Sequence, residues 1–273
     1  MYSQKYFLVD NGSLRPESIL YMRKVAKKVE SATGKAVGSY GLMHSHKIDA
    51  DKVEGEPAGS MESFFASDIS FQKQSLAILP MFLGPSLAIT DWLPEKLRQW
   101  QQSNQMRKYS VAQCLHQKKD DRISSALCEL VMDAILKNSM SEPNVVLVDH
   151  GTPLLQVNEV REEIGSQLQA KLNGFISGFS TACMERRQGA VYDFNDPLLE
   201  NHLKLLHEMG EKEVILAQLF LTPGRHAGPN GDLAKICKPF EDGGMQIFRT
   251  STLGAHRFLV EILIERIEEF NGL

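Results

Sequence analysis

Apolar residues recur along this chain with two periods, and the alternation between them predicts the elements. Mainly apolar runs occur at Tyr6–Val9, Ser75–Leu83, where Pro80 is a blemish, Val145–Val148 and Val214–Leu221, which includes Gln218, each closed by turn formers such as Asp10-Asn11-Gly12-Ser13 or Asp149-His150-Gly151-Thr152. Runs of this kind suit strands covered on both faces, as in a parallel sheet. Between them, apolar residues return at helical spacing. Ile19, Met22, Val25, Ala26 and Val29 follow Pro16, which suits a first helical turn. Ile123, Ala126, Leu127, Leu130, Val131, Ala134 and Ile135 form one face of a helix over Arg122–Lys137. In the second half Val157, Val160, Ile164, Leu168 and Leu172 point inward from one helix, and Leu259, Ile262, Leu263 and Ile267 from another. Further helices are predicted at Leu93–Gln102, Pro197–Met209 and, short, Gly231–Lys238, with extended segments at Ala36–His44, Tyr109–Leu115, Phe175–Met184 and Met245–Arg249. Lys47–Ser60, rich in Gly, Glu and Asp, reads as a loop or insertion.

The order of elements repeats, and so do the residues. Leu8-Val9-Asp10-Asn11-Gly12-Ser13 matches Leu147-Val148-Asp149-His150-Gly151-Thr152 at an offset of 139, and Met81-Phe82-Leu83-Gly84-Pro85 matches Leu219-Phe220-Leu221-Thr222-Pro223 at 138. Strands alternating with helices predict parallel sheets joined by right-handed crossovers. The expectation is an α/β protein of two similar doubly wound, flavodoxin-like domains related by internal duplication, residues 1–138 and 144–273, facing each other across a cleft.

Composition narrows the function without choosing it. A formal net charge of -4 over 273 residues gives no basic excess for nucleic acid. Cys114, Cys128, Cys183 and Cys237 stand singly, without the close pairs of a zinc site or a disulfide framework, which suits a reducing cytoplasm. No leader and no run long enough to span a bilayer is visible, so a cytoplasmic location and no membrane partner are expected.

The chemistry is confined to the second half. His150 ends one predicted strand and His226 lies in the loop Thr222-Pro223-Gly224-Arg225-His226-Ala227-Gly228 that ends another. Open α/β sheets place their ligands at such strand ends. In the first half the counterparts are Asn11 and Ala88 or a near neighbour. Neutral imidazole binds divalent transition metals and accepts a proton near neutral pH, so two imidazoles with a carboxylate suit a reaction that takes in a cation and releases protons. Glu185, just past an extended segment, is the carboxylate expected at the same rim. A glycine-flanked loop histidine also serves simply as a turn residue. The Gly-rich loop lacks the spacing of a nucleotide-phosphate cradle, and no Gly-x-Ser-x-Gly elbow is present. His44 and His46 would share one face if their segment were extended.

These motifs resemble the sirohydrochlorin chelatases of the CbiX/SirB type. The resemblance rests on His150-Gly151-Thr152 with Asn158-Glu159, on Gln218-Leu219-Phe220-Leu221-Thr222-Pro223-Gly224-Arg225-His226, on Cys183-Met184-Glu185, and on Leu253-Gly254 before a helix containing Glu265-Arg266. It covers most of Asn144–Leu273 and, more faintly, Tyr6–Leu136. What it implies is insertion of Co2+ or Fe2+ into sirohydrochlorin or a related tetrapyrrole, without nucleotide and with no cofactor beyond the substrate metal, in cobalamin or sirohaem synthesis. On that reading His150 and His226 bind the metal and accept pyrrole protons, and Glu185 carries protons away. Gly151, Thr152, Gly224 and Arg225 would line the macrocycle, with Arg186 and Arg187 as further donors to its carboxylates. Many two-domain relatives carry the histidines in the first half, so metal and macrocycle are less determined than the reaction class. A non-catalytic metal or tetrapyrrole carrier on the same fold is the alternative, and a homodimer is compatible with either.

Overall fold

The computed structural model describes residues 3–67 and 74–271. It contains two all-parallel sheets. The first is built from β1 (Ser3–Asp10), β2 (Val37–Gly41), β3 (Gly59–Ser60), β4 (Gln74–Pro80) and β5 (Lys108–Val111), in the order β3-β2-β1-β4-β5. The second is built from β6 (Asn144–Asp149), β7 (Gly178–Cys183), β8 (Glu213–Gln218) and β9 (Gln246–Arg249), in the order β7-β6-β8-β9. Helices fill the crossovers: α1 (Pro16–Thr33), α2 (Met61–Ala66), α3 (Leu93–Gln102), α4 (Arg122–Asn138), α5 (Leu155–Leu172), α6 (Leu199–Glu208), α7 (Asp232–Asp242) and α8 (Arg257–Asn271). Two doubly wound α/β folds are therefore present, as the alternating pattern predicted.

Contacts divide the chain differently from the repeat. One compact unit is Met1–Leu115 with Leu259–Leu273, and the other is His116–Phe258. Helix α4 is thus encoded with the first repeat but packs in the second unit, and nearly all of α8 is encoded with the second repeat but packs in the first.

In the second unit, Val145–Val148 of β6 are wholly buried because helices cover both faces. Val146, Val148, Val214, Leu216 and Ala182 pack against Leu199, Leu203 and Leu206 of α6 and Leu233 and Cys237 of α7. Each fully buried Val or Leu contributes about 1.5–3 kcal/mol, so a shift of this strand in its sheet is costly. The first unit repeats the plan with Phe7, Val9, Leu76 and Ile78 against Leu93, Leu97 and Trp100.

The duplication extends to the ladder. Val9 pairs with Pro80 in the first sheet and Val148 with Gln218 in the second. Pro80 is the last residue of its strand, a position where a missing N–H costs little. Helices α1 and α5 each have 18 residues and begin 139 positions apart. The residues buried on α1 include Ile19, Met22, Val25, Ala26 and Val29, as its spacing predicts.

Three expectations need correction. The inward face of α5 includes Asn158 and Arg161, with Val157 and Val160 only partly covered. Lys47–Ser60 holds 3-10 turns and the short β3, which adds a fifth strand to the first sheet. His44 and His46 do not lie on an extended strand: His44 has φ 66 and His46 sits in a 3-10 turn, with its Nδ1 2.7 Å from Ser60 Oγ.

The equivalence of Arg161 and Met22 exposes a difference in charge. Asp10, the counterpart of Asp149, accepts a hydrogen bond from Gly12 N at 2.9 Å, but its neighbour from α1 is Met22, with which it lines a small cavity. Burial pushes its carboxyl up to about 6. As pH rises from about 4 to about 6 the unfolded chain ionises here while the folded chain retains the proton, so stability should fall, by up to about 3 kcal/mol. Asp10→Asn is expected to flatten that slope in urea unfolding followed from pH 4 to 7. An unchanged slope would place the titration elsewhere.

Candidate functional site

In the second sheet the crossover from β6 leads to β7 on one side and that from β8 leads to β9 on the other, so the order reverses between β6 and β8. At such a switch point the loops from adjacent strand ends diverge and leave a crevice. Three loops meet here: 150–154 after β6, 184–198 after β7 and 219–231 after β8.

Backbone hydrogen bonds extend the ladder beyond the strands. Met184 N donates to Asp149 O at 2.9 Å, Glu185 N to His150 O at 3.1 Å, and Leu219 N to Val148 O at 2.9 Å. Glu185 is thereby carried alongside His150. Gly151 then turns the chain at φ +93, and a Cβ there would lie 1.9 Å from Glu185 O. Only glycine fits both the left-handed backbone and the close approach. Thr152 is fixed next: its N donates to Asn195 Oδ1, and its O accepts from Asn195 Nδ2, each at 2.9 Å.

The loop after β8 folds on itself and onto α7. Gly228 N donates to Gly224 O at 2.9 Å, Asp232 N to Arg225 O at 3.0 Å, and Leu233 N to His226 O at 3.2 Å. These N–H groups satisfy the loop's own carbonyls, which leaves them unavailable as an anion cradle. Gly224 thus serves the turn, and His226 is held at its crest.

The two imidazoles come together, their ring centroids 4.5 Å apart and their planes inclined by 63°. His150 Nε2 lies 3.1 Å from Glu185 Oε1, and His150 Nδ1 lies 3.3 Å from Gly151 O. A neutral imidazole has one N–H, so the neutral ring donates through only one of these two nitrogens at a time. His226 Nδ1 lies 3.1 Å from Asp232 Oδ2. Burial, reinforced by the neighbouring His150, lowers the pKa of His226 from its ordinary value. The pair sits at the surface, His150 with 43% and Glu185 with 71% of the side chain exposed. Among the described residues no group of three or more His, Cys, Asp or Glu has the geometry to hold a metal ion by itself.

The arginines singled out from the sequence are engaged with acids. Arg225 Nε lies 3.2 Å from Asp232 Oδ2. Arg186 bridges Asp193 at 3.0 Å and Asp196 at 2.8 Å, and Arg187 lies over the Tyr192 ring.

Beneath the site is a polar layer that periodicity did not reveal. Arg161, almost fully buried, donates to Asp149 Oδ1 at 3.2 Å, to Asn195 O at 3.1 Å and to Glu162 Oε1 at 2.8 Å. Burial raises the Asp149 carboxyl and the Arg161 guanidinium opposes that rise. One side chain therefore ties α5 to the end of β6 and to the segment that positions Thr152. The signal was present in the repeat: at the aligned position the first half has Met22.

Comparison with known proteins agrees with this architecture. Residues 144–270 match the model of the CbiX family. The chain is 25% identical over 142 residues to the chloroplastic sirohydrochlorin ferrochelatase of Arabidopsis thaliana, an alignment covering 50% of this chain and 56% of that protein. The chain thus spans a little over half the length of that relative. Among solved structures, SirB from Bacillus subtilis with Fe3+ superposes with a TM-score of 0.72 at 13% identity, over 98% of this chain and 95% of that one. CbiX of denitrifying bacteria, described as the terminal enzyme of sirohaem biosynthesis, superposes with a TM-score of 0.63 at 12% identity, over 97% and 98%. The fold is that of the chelatases, and the CbiX match falls on the half that bears both histidines.

The buried pair beneath the site yields a direct test. Arg161→Met would leave Asp149 buried without its counter-ion and should destabilise the second unit by about 3–5 kcal/mol. Adding Asp149→Asn should recover part of the loss. Denaturant midpoints of the two variants check this, and an unshifted midpoint for Arg161→Met would show that the pair holds nothing together.

Proposed function

We propose that the protein inserts a divalent metal, Co2+ or Fe2+, into sirohydrochlorin or a closely related tetrapyrrole, without nucleotide. The observation that carries this reading is the 4.5 Å approach of the His150 and His226 rings at the crevice of the second sheet, with Glu185 on His150 Nε2. The names of the relatives support the same reaction class.

The reaction exchanges one dication for two pyrrole protons, so its site must handle both. His226, with Nδ1 turned to Asp232, offers Nε2 as a ligand. His150 holds its Nε2 against a carboxylate, so a proton taken up at that nitrogen has Glu185 beside it to accept it. Glu185 is mostly in solvent and can release that proton to water. The macrocycle's own nitrogens complete the coordination, which is why the protein needs no three-ligand cage. Gly151 and Thr152 form the turn beneath, and Arg225, Arg186 and Arg187 lie on the loops that a polycarboxylate would meet. Because Arg225 and Arg186 are already paired with Asp232, Asp193 and Asp196, a substrate carboxylate must compete for them.

Purified protein at sub-stoichiometric concentration should convert metal-free sirohydrochlorin with Co2+ or Fe2+ over many turnovers, read from the pigment's absorption. His150→Ala and His226→Ala should each lower that rate by at least about 100-fold, the scale expected for a group that handles the proton in the transition state. Glu185→Gln should lower it less, since water can take its place. Absorption that changes once per protein and stops would identify a carrier. Near-normal turnover by either histidine variant would refute the site.

A further inference from the structure

Asp232 lies outside every motif that led to the site, yet it is the residue on which the electrostatics of His226 converge. It opens α7, and its carboxylate faces three cationic or donor groups: Arg225 Nε at 3.2 Å, His226 Nδ1 at 3.1 Å and Lys235 Nζ at 3.0 Å. With His226 Nδ1 3.1 Å from Asp232 Oδ2, that carboxylate oxygen is placed to accept a hydrogen bond donated by the ring nitrogen.

We infer that Asp232 is a positioning residue that fixes His226 as the Nδ1–H tautomer and leaves its Nε2 lone pair free for the metal. An isolated neutral imidazole distributes its proton between the two nitrogens, and only the form with bare Nε2 can ligate through that atom. Carboxylate partners on the far nitrogen perform this service at other metal sites, and their loss typically costs 10- to 100-fold in affinity or activity. Asp232 is held twice, its backbone by the Asp232 N to Arg225 O bond that closes the turn and its carboxylate by Lys235 one helical turn on. The loop, the helix start and the imidazole are thereby locked in one geometry. The inference rests on the reading of His226 as a metal ligand.

The test joins a structural readout to a kinetic one. In the full-length protein labelled with 15N-histidine, the His226 ring nitrogens should report Nδ1–H in the wild type at a pH where the ring is neutral, and a shift toward Nε2–H in Asp232→Ala. The KM for Co2+ should rise about 10- to 100-fold in Asp232→Ala while the KM for sirohydrochlorin stays within about twofold. Asp232→Asn, which keeps an acceptor oxygen in place, should recover most of the loss, and Lys235→Ala, which removes one of the two holds on Asp232, should raise the metal KM less than Asp232→Ala does. An Nε2–H tautomer in the wild type, or an unchanged metal KM in Asp232→Ala, overturns the inference. If the wild type itself inserts no metal, the chelatase reading falls, while the tautomer measurement still decides whether Asp232 orients the ring.

Discussion

The arrangement depends on hydrogen bonds that carry parallel pairing one residue past the ends of the strands. Where Glu185 N reaches His150 O and Leu219 N reaches Val148 O, the ladder continues after the apolar runs have stopped. That continuation converts burial into geometry. Val145–Val148 cannot shift in the sheet without exposing apolar area at about 25 cal/mol per Å2. His150 follows directly, and Gly151 can make its turn only against the carbonyl of Glu185. An imidazole and a carboxylate thus meet because the backbone beneath them has no alternative register.

The first unit shows that this scaffold does not by itself make a site. There Met43 N reaches Asn11 O, Leu115 N reaches Phe82 O, and Gly12 turns at φ +89 with a Cβ position 1.8 Å from Met43 O. The bonds are those of the second unit, where Leu253 N reaches Phe220 O. What differs is the chemistry they carry: Asn11 for His150, Met43 for Glu185 and Met22 for Arg161. With the site's groups gone, the guanidinium beneath is gone as well, and burial pushes the Asp10 carboxyl up to about 6. The co-occurrence points to Arg161 as support for the loops that bear function, because the fold alone survives without its counterpart.

Much of this was legible in the sequence. Strands covered on both faces leave mainly apolar runs, so β1, β4, β6 and β8 could be read directly, as could α1, α3, α4 and α8 from their period. His150 and His226 were legible because the repeat placed them at equivalent strand ends. Glu185 followed from the extended segment before it. What escaped were features whose cause lies across the fold. Arg161 is a charged residue that only tertiary pairing can bury, so helical periodicity placed Val157 and Val160 inward in its stead. Asp232 stands six residues beyond His226, and only the closed turn of the Gly-rich loop brings its carboxylate onto the ring. The exchange of α4 and α8 between units left no mark on any local pattern.

A site that hands on its metal, as proposed for this one, should differ from one that keeps it. A resident ion is held by three or four converging protein ligands, in most cases shielded from water. Here two imidazoles converge, their carboxylate partners lie on different nitrogens, and Glu185 faces solvent. Such a pair is complete only when a second molecule supplies the remaining donors. The half-exposed geometry also solves the proton problem, because protons lost from the second molecule need a route to water that does not recross the metal. On the proposed reading His150 and Glu185 would form that route while Asp232 holds His226 through Nδ1, so the two rings, alike in sequence, face their acids through different nitrogens.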